Sequence, residues 1–215
     1  MIHVIGDSHV AFFSGKDWYH NLGFHPQWPP YIGENDPFKT YFCGASLAGN
    51  LQSFKTSSGG RNTLESLLNS VIPRGSNILL SYGEIDCRVH LVKQAESQNR
   101  PVRDITKECI NKYFDIIKNI KGFRVGIWGV PPGKETGAIP TSGDVVTRNK
   151  NARYFNNYLN DLCKSENIIF LSIFEQLINS DLTPKPEFFL DNNHLNQKAF
   201  PLIEAKIKKA YNERT

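Results

Sequence analysis

Short apolar runs rich in β-branched residues punctuate the chain at Ile2–Ile5, Thr40–Cys43, Asn77–Ser81, Arg124–Trp128 and Ile168–Leu171. Bounded runs of this length read as buried strands. Between them, apolar positions recur on a longer period, predicting helices at about 10–17, 46–54, 62–70, 102–120, 147–164 and 196–211. The pattern is clearest from Asp104 to Lys121, where Ile105, Cys109, Ile110, Tyr113, Phe114, Ile116 and Ile117 fall at near-helical spacing. Asn196, just ahead of Gln197-Lys198-Ala199, suits the N-cap of the last helix. Strands alternating with helices predict an α/β fold with a parallel sheet covered on both faces. Ligands of such sheets bind beyond the carboxyl ends of the strands. Gly6-Asp7-Ser8, Gly44, Gly83-Glu84 and Val130-Pro131-Pro132 follow the first four runs and are expected to share one rim.

Composition narrows the function classes. The 215 residues suit a single domain over 1–215, large enough to bury a core. Apolar residues make up 40%, an ordinary share for a globular protein, and the formal charge is a mild +4. Lys206, Lys208 and Lys209 read as the solvated end of a helix. No basic stripe interleaved with aromatics appears, so no nucleic-acid partner is expected. Cys43, Cys87, Cys109 and Cys163 lack CxxC or metal-ligand spacing and read as reduced, buried thiols. No HExxH-like ligand set or GxGxxG glycines are present, so neither a metal nor another cofactor is expected. No secretory signal and no membrane-spanning run is visible, which predicts a cytoplasmic protein without a membrane partner.

The candidate chemistry lies at the two ends of the chain. Ser8 stands at a strand-to-helix turn where Gly6 permits a tight backbone and unpaired helical N–H groups offer positive potential. A serine hydroxyl is a weak nucleophile without a base in hydrogen-bond reach. Asp191-Asn192-Asn193-His194 supplies one: His194 to take the proton, Asp191 to orient the imidazole and stabilise its cation. Taken alone, Gly-Asp-Ser is an ordinary helix cap. Its pairing with Asp-x-x-His before the final helix favours catalysis.

Gly6-Asp7-Ser8, the isolated Gly44, the block Gly83–Asp86 and Asp191-x-x-His194 together resemble the SGNH, or GDSL-type, hydrolases over nearly the whole chain. The resemblance implies a flavodoxin-like, three-layer α/β/α sandwich around a parallel five-stranded sheet, and ester hydrolysis through an acyl-serine. It carries over Ser8 as nucleophile and oxyanion donor, Gly44 as a second donor, His194 as general base and Asp191 as its orienter. His9 replaces the leucine of the GDSL name, at a variable position. More seriously, the family's third block reads Gly-x-Asn-Asp, its Asn donating to the oxyanion, whereas here Ile85 holds that place. A lost oxyanion donor costs about 10²–10³ in turnover. Three readings stay open: Arg88 replaces the donor, the Ser8 and Gly44 amides suffice, or the protein binds an ester or glycan without cleaving it. For Arg88 a structural alternative stands beside the functional one, because Glu84 four residues earlier is well placed to pair with it. The block Gly-Glu-Ile-Asp-Cys-Arg is also similar to a variant found in SGNH-like proteins of glycan biosynthesis.

Two long connections stand out, and the second, following the fourth strand, is expected above the rim. Asp17–Lys39 carries Trp18, Tyr19, His20, Phe24, His25, Trp28 and Tyr31, either packed among themselves or shaping a pocket for sugars or acyl chains. Val130–Val146 is marked as a loop by its prolines and glycines. Trp18, Trp28, Asp7 and Glu84 are the candidate substrate contacts. The expected partner is a small-molecule or glycan acyl ester, and the preferred activity removes a small acyl group, such as acetyl, from a carbohydrate. Acyl transfer to an acceptor hydroxyl is the neighbouring alternative.

Overall fold

The computed structural model describes residues 1–17, 29–135 and 139–212. All five expected parallel strands are present: β1 (Ile2–Gly6), β3 (Phe38–Phe42), β4 (Asn77–Ser81), β5 (Arg124–Trp128) and β6 (Ile169–Leu171). A sixth, β2 (Tyr31–Asn35), lies antiparallel on the outer edge of β3, giving the order β2-β3-β1-β4-β5-β6. It comes from the segment read as a long connection. An edge strand with one paired side and an exposed Tyr31 carries no continuous apolar run to announce it.

The period-2 pattern of the strands divides the core. Ile5, Ile78, Leu80 and Ile127 face α1 (Gly60–Ser70), α2 (Leu91–Ser97), α3 (Val102–Ile117) and α4 (Val145–Ser165). Val4, Leu79 and Trp128 turn the other way, onto Phe12, Phe13 and α5 (Phe200–Asn212). Adjacent residues on one strand thus serve opposite layers, which makes the sandwich three-layered. In α3 the predicted stripe is the buried one, from Ile105 through Ile110 and Phe114 to Ile117.

Other elements depart from expectation. The first predicted helix is a 3-10 helix, Ser8–Ser14, that ends where Gly15 turns left-handed at φ 74°. The helix expected at 46–54 is reduced to one 3-10 turn, Ala48–Asn50, whose first N–H groups, those of Ala48 and Gly49, donate to the distant Asp86 carboxylate. Helix α2 follows a π-helical turn, Asp86–His90, and sequence periodicity did not define it. Asn196 caps the C-terminal helical segment as predicted, its side chain accepting from Lys198 N.

On a helix, Arg148, Asn149, Asn156 and Asn157 are expected to be exposed or capping; Asn157 is exposed, but the other three are buried in α4. The Asn156 amide bonds both backbone groups of Val130, and Asn149 does the same for Gly133 while also reaching Leu182 O. Arg148 donates to Gly143 O and Lys134 O. Helix α4 therefore holds the connection after β5 in place. The four cysteines are free and buried. Among the described residues no helix is long and apolar enough to cross a membrane.

Candidate active site

The parallel register brings the strand exits level. Gly6 stands beside both Phe42 and Ser81, and Ser81 beside Trp128. A Cβ on Gly6 would lie 2.0 Å from Ser81 O, so only glycine lets β1 and β4 close here. The chain then turns at Asp7, whose Oδ1 accepts from His9 N at 3.0 Å and caps the 3-10 helix. Ser8 is the first helical residue, where an N–H has no partner within the helix. Cys43 N donates to Gly6 O at 2.7 Å, and the next residue, Gly44, turns left-handed at φ 74°.

From the far end of the chain, the loop before α5 reaches the same rim. Leu190 N bonds His194 O at 2.9 Å, closing a tight excursion that contains Asp191. Asp191 Oδ1 accepts from the backbone N–H groups of Asn193 (2.9 Å) and His194 (2.7 Å). Its Oδ2 lies 2.7 Å from His194 Nδ1, and His194 Nε2 lies 2.8 Å from Ser8 Oγ. Partial burial disfavours the Asp191 carboxylate, but the His194 ring and the two amides outweigh it and hold the carboxyl well below the usual range. An ionised Asp191 fixes the Nδ1 proton, leaving Nε2 to accept from the serine hydroxyl. Burial lowers the His194 pKa below its ordinary value, with Asp191 opposing, so near neutral pH the ring is in its basic form.

The third block turns inward. Gly83 adopts φ 112°, and a Cβ there would meet the Phe155 ring at 2.9 Å. Asp86 is buried and accepts from Ala48 N (2.8 Å), Gly49 N (3.2 Å) and Cys109 Sγ (3.4 Å), tying this block to the loop beyond Gly44. Ile85 is half-buried at the start of the π-helical turn. Glu84 accepts from Arg88 Nε at 2.7 Å, and Arg88 Nη1 donates to Pro140 O at 2.6 Å.

Ser8, His194 and Asp191 are thus brought together, with Gly44 on the adjoining strand exit. Asp7 and Glu84, expected to touch substrate, are instead enclosed at 1% and 6% exposure and serve as a cap and an internal ion-pair partner. Arg88, expected as a substitute oxyanion donor, commits two guanidinium nitrogens to Glu84 and Pro140 and is a brace in this arrangement. Trp18 and Trp28 lie outside the described residues. His9, read as a minor change, proves buried against both His194 and Glu84. Its acidic partner is 75 residues away in sequence, and no short motif joins them. Among the described residues no cluster of three His, Cys, Asp or Glu side chains is disposed to hold a metal.

At the level of sequence, no family model and no curated protein matches the chain. Solved structures do. A GDSL-like lipase from Bacteroides thetaiotaomicron superposes with TM-score 0.60 at 14% identity, covering 100% of this chain and 88% of the other. A carbohydrate acetylesterase from Sinorhizobium meliloti gives 0.57 at 13%, covering 100% and 99%. The fold is the SGNH, or GDSL-type, hydrolase fold. At this identity the likeness speaks for architecture, and the chemistry of the chain rests on its own residues. In this GDSL-type fold the two ends of the chain meet over the carboxyl edge of the sheet.

Proposed function

We propose that this chain is a serine ester hydrolase. The observation that carries the reading is the continuous hydrogen-bonded series from Ser8 Oγ through the His194 ring to Asp191, at 2.8 Å and 2.7 Å. These separations are within general-base reach without rearrangement. Ser8 Oγ attacks the ester carbonyl carbon as its proton passes to His194 Nε2. The carbonyl oxygen becomes an oxyanion, received by the N–H groups of Ser8 and Gly44. Collapse expels the alcohol, which takes the proton from His194. Water then repeats the sequence on the acyl-serine, releasing the acid and restoring Ser8.

For substrate we propose a small acyl ester, acetyl in the first instance, on a carbohydrate. The aromatic segment containing Trp18 and Trp28 supports this reading, and a structural neighbour described as a carbohydrate acetylesterase is consistent with it. Ile85 favours a second reading, a protein that binds an ester without cleaving it, because its side chain cannot donate to an oxyanion.

Intact-mass labelling with a fluorophosphonate separates the two readings. A single adduct on wild type, absent from Ser8→Ala and His194→Ala, is expected. Turnover of p-nitrophenyl acetate should fall by about 10⁴-fold or more in either variant. Folded wild-type protein that takes no adduct and turns over neither this ester nor acetylated sugars would favour the binding protein.

A further inference from the structure

The His194 ring rests against a second imidazole. His9 lies with its ring centroid 4.9 Å away and its plane tilted by 31°, and it is only 4% exposed. Its Nε2 faces Glu84 Oε2 at 3.5 Å, an ion-pair separation longer than a hydrogen bond. The other Glu84 oxygen accepts from Arg88 Nε at 2.7 Å. Arg88 extends the series to the connection after β5, donating from Nη1 to Pro140 O while its own carbonyl accepts from Ser142 N at 2.9 Å. Contacts thus run from His194 through His9, Glu84 and Arg88, joining the exits of β1, β4 and β5. A leucine at position 9 could supply a packing surface, but nothing for Glu84 to hold.

We propose that His9 is a positioning residue for His194: its buried imidazole, fixed by Glu84 and through Glu84 by Arg88, is the wall that sets the ring of the general base. The inference rests on the assignment of His194 as that base. His9 is also shifted toward its charged form. Burial alone would lower its pKa, but Glu84 and Asp7 outweigh burial and the repulsion of Arg88, so the net shift is upward. The carboxyl of Glu84 is itself held down to about 2. Three charged groups act on His194: Asp191 and Glu84 favour its protonation, and His9 opposes it. Protonated His9 behind the base thus discourages protonation of its ring, as burial does.

The test combines NMR titration of the His194 imidazole with fluorophosphonate labelling rates in the whole chain, for wild type, His9→Gln and His9→Gln/Glu84→Gln. In His9→Gln the His194 midpoint is expected to rise by about one pH unit, a roughly tenfold gain in proton affinity. The double variant also lacks the opposing effect of Glu84, so its rise should be smaller. At pH 8.5, where His194 is neutral throughout, labelling should slow by about tenfold in both variants, reflecting a misplaced base. The kcat for p-nitrophenyl acetate should fall likewise, with KM within about twofold.

An unchanged midpoint in folded His9→Gln would overturn the proposal, as would a wild-type labelling rate in either folded variant. If His9→Gln leaves Glu84 with Arg88 as its remaining ion-pair partner and does not fold, the double variant, which removes that buried carboxylate, decides through its labelling rate. Should wild type take no label and turn over neither p-nitrophenyl acetate nor acetylated sugars, the hydrolase reading fails. The midpoint then decides separately whether His9 governs the state of His194, in His9→Gln or, if only that folds, in the double variant.

Discussion

At the residue scale the sharpest departure is one side chain, Ile85. It occupies the position from which the GDSL-type pattern sends an Asn side chain to the oxyanion, and Arg88 beside it is occupied with Glu84 and Pro140. If Ser8 and Gly44 amides alone receive the oxyanion, restoring a donor is the direct experiment. Ile85→Asn is expected to raise kcat on p-nitrophenyl acetate by about tenfold, part of the 10²–10³ that one donor is worth. An unchanged kcat in a folded variant would mean that another group already fills the role. His9 makes the complementary point. A residue of no evident consequence in the linear text stands directly behind the His194 ring once Glu84 is beside it.

At the element scale the site depends on contacts between connections rather than within them. Asp86, in the π-helical turn after β4, satisfies the N–H groups of Ala48 and Gly49 in the loop after β3. Asp86→Ala leaves those donors without their acceptor, at about 1–3 kcal/mol for each one that is buried. For a chain of this size the expected loss is roughly 5–15 °C in Tm. Asp86→Asn, which keeps one acceptor oxygen, should lose less. Because this loop begins at Gly44, Asp86→Ala should also depress esterase activity at temperatures where it stays folded. Retained stability in Asp86→Ala, measured by calorimetry, would show that water replaces the carboxylate.

For the whole molecule, buried charge near the rim ties stability to pH. Burial raises Asp7 from 3.8 to about 7, against the pull of His9. The folded state therefore holds a proton that the unfolded chain releases, and stability declines as pH rises from about 4 to about 7. Glu84 acts in the opposite sense: burial opposes its charge, but His9 and Arg88 bring it from 4.5 down to about 2. Its contribution is present above about 4.5 and is lost as pH falls toward 2. From these two groups, stability is greatest near pH 4–5. Asp7→Asn keeps a cap acceptor for His9 N and removes the buried acid. Its Tm should exceed wild type by on the order of 5 °C more at pH 8 than at pH 4. Parallel Tm–pH curves for the two proteins would show that Asp7 does not titrate in this way.

Much of this protein follows from the order of its residues. Strand positions, the α3 stripe and the Asn196 cap are local, since period, length and capping chemistry act within a few residues. The Ser8, Asp191 and His194 candidates are also legible, because Gly-Asp-Ser and Asp-x-x-His are short patterns whose joint presence points to catalysis. Tertiary structure decided what depends on pairing. Edge strand β2 exists through β3, and the Ala48–Asn50 turn is held by a carboxylate 38 positions away from Ala48. Asn149 and Asn156 become loop clamps only because α4 lies under the connection after β5. His9 meets Glu84 because β1 and β4 are hydrogen-bonded neighbours. Buried polar groups must find partners wherever the fold provides them, and that choice is made in space, not along the chain.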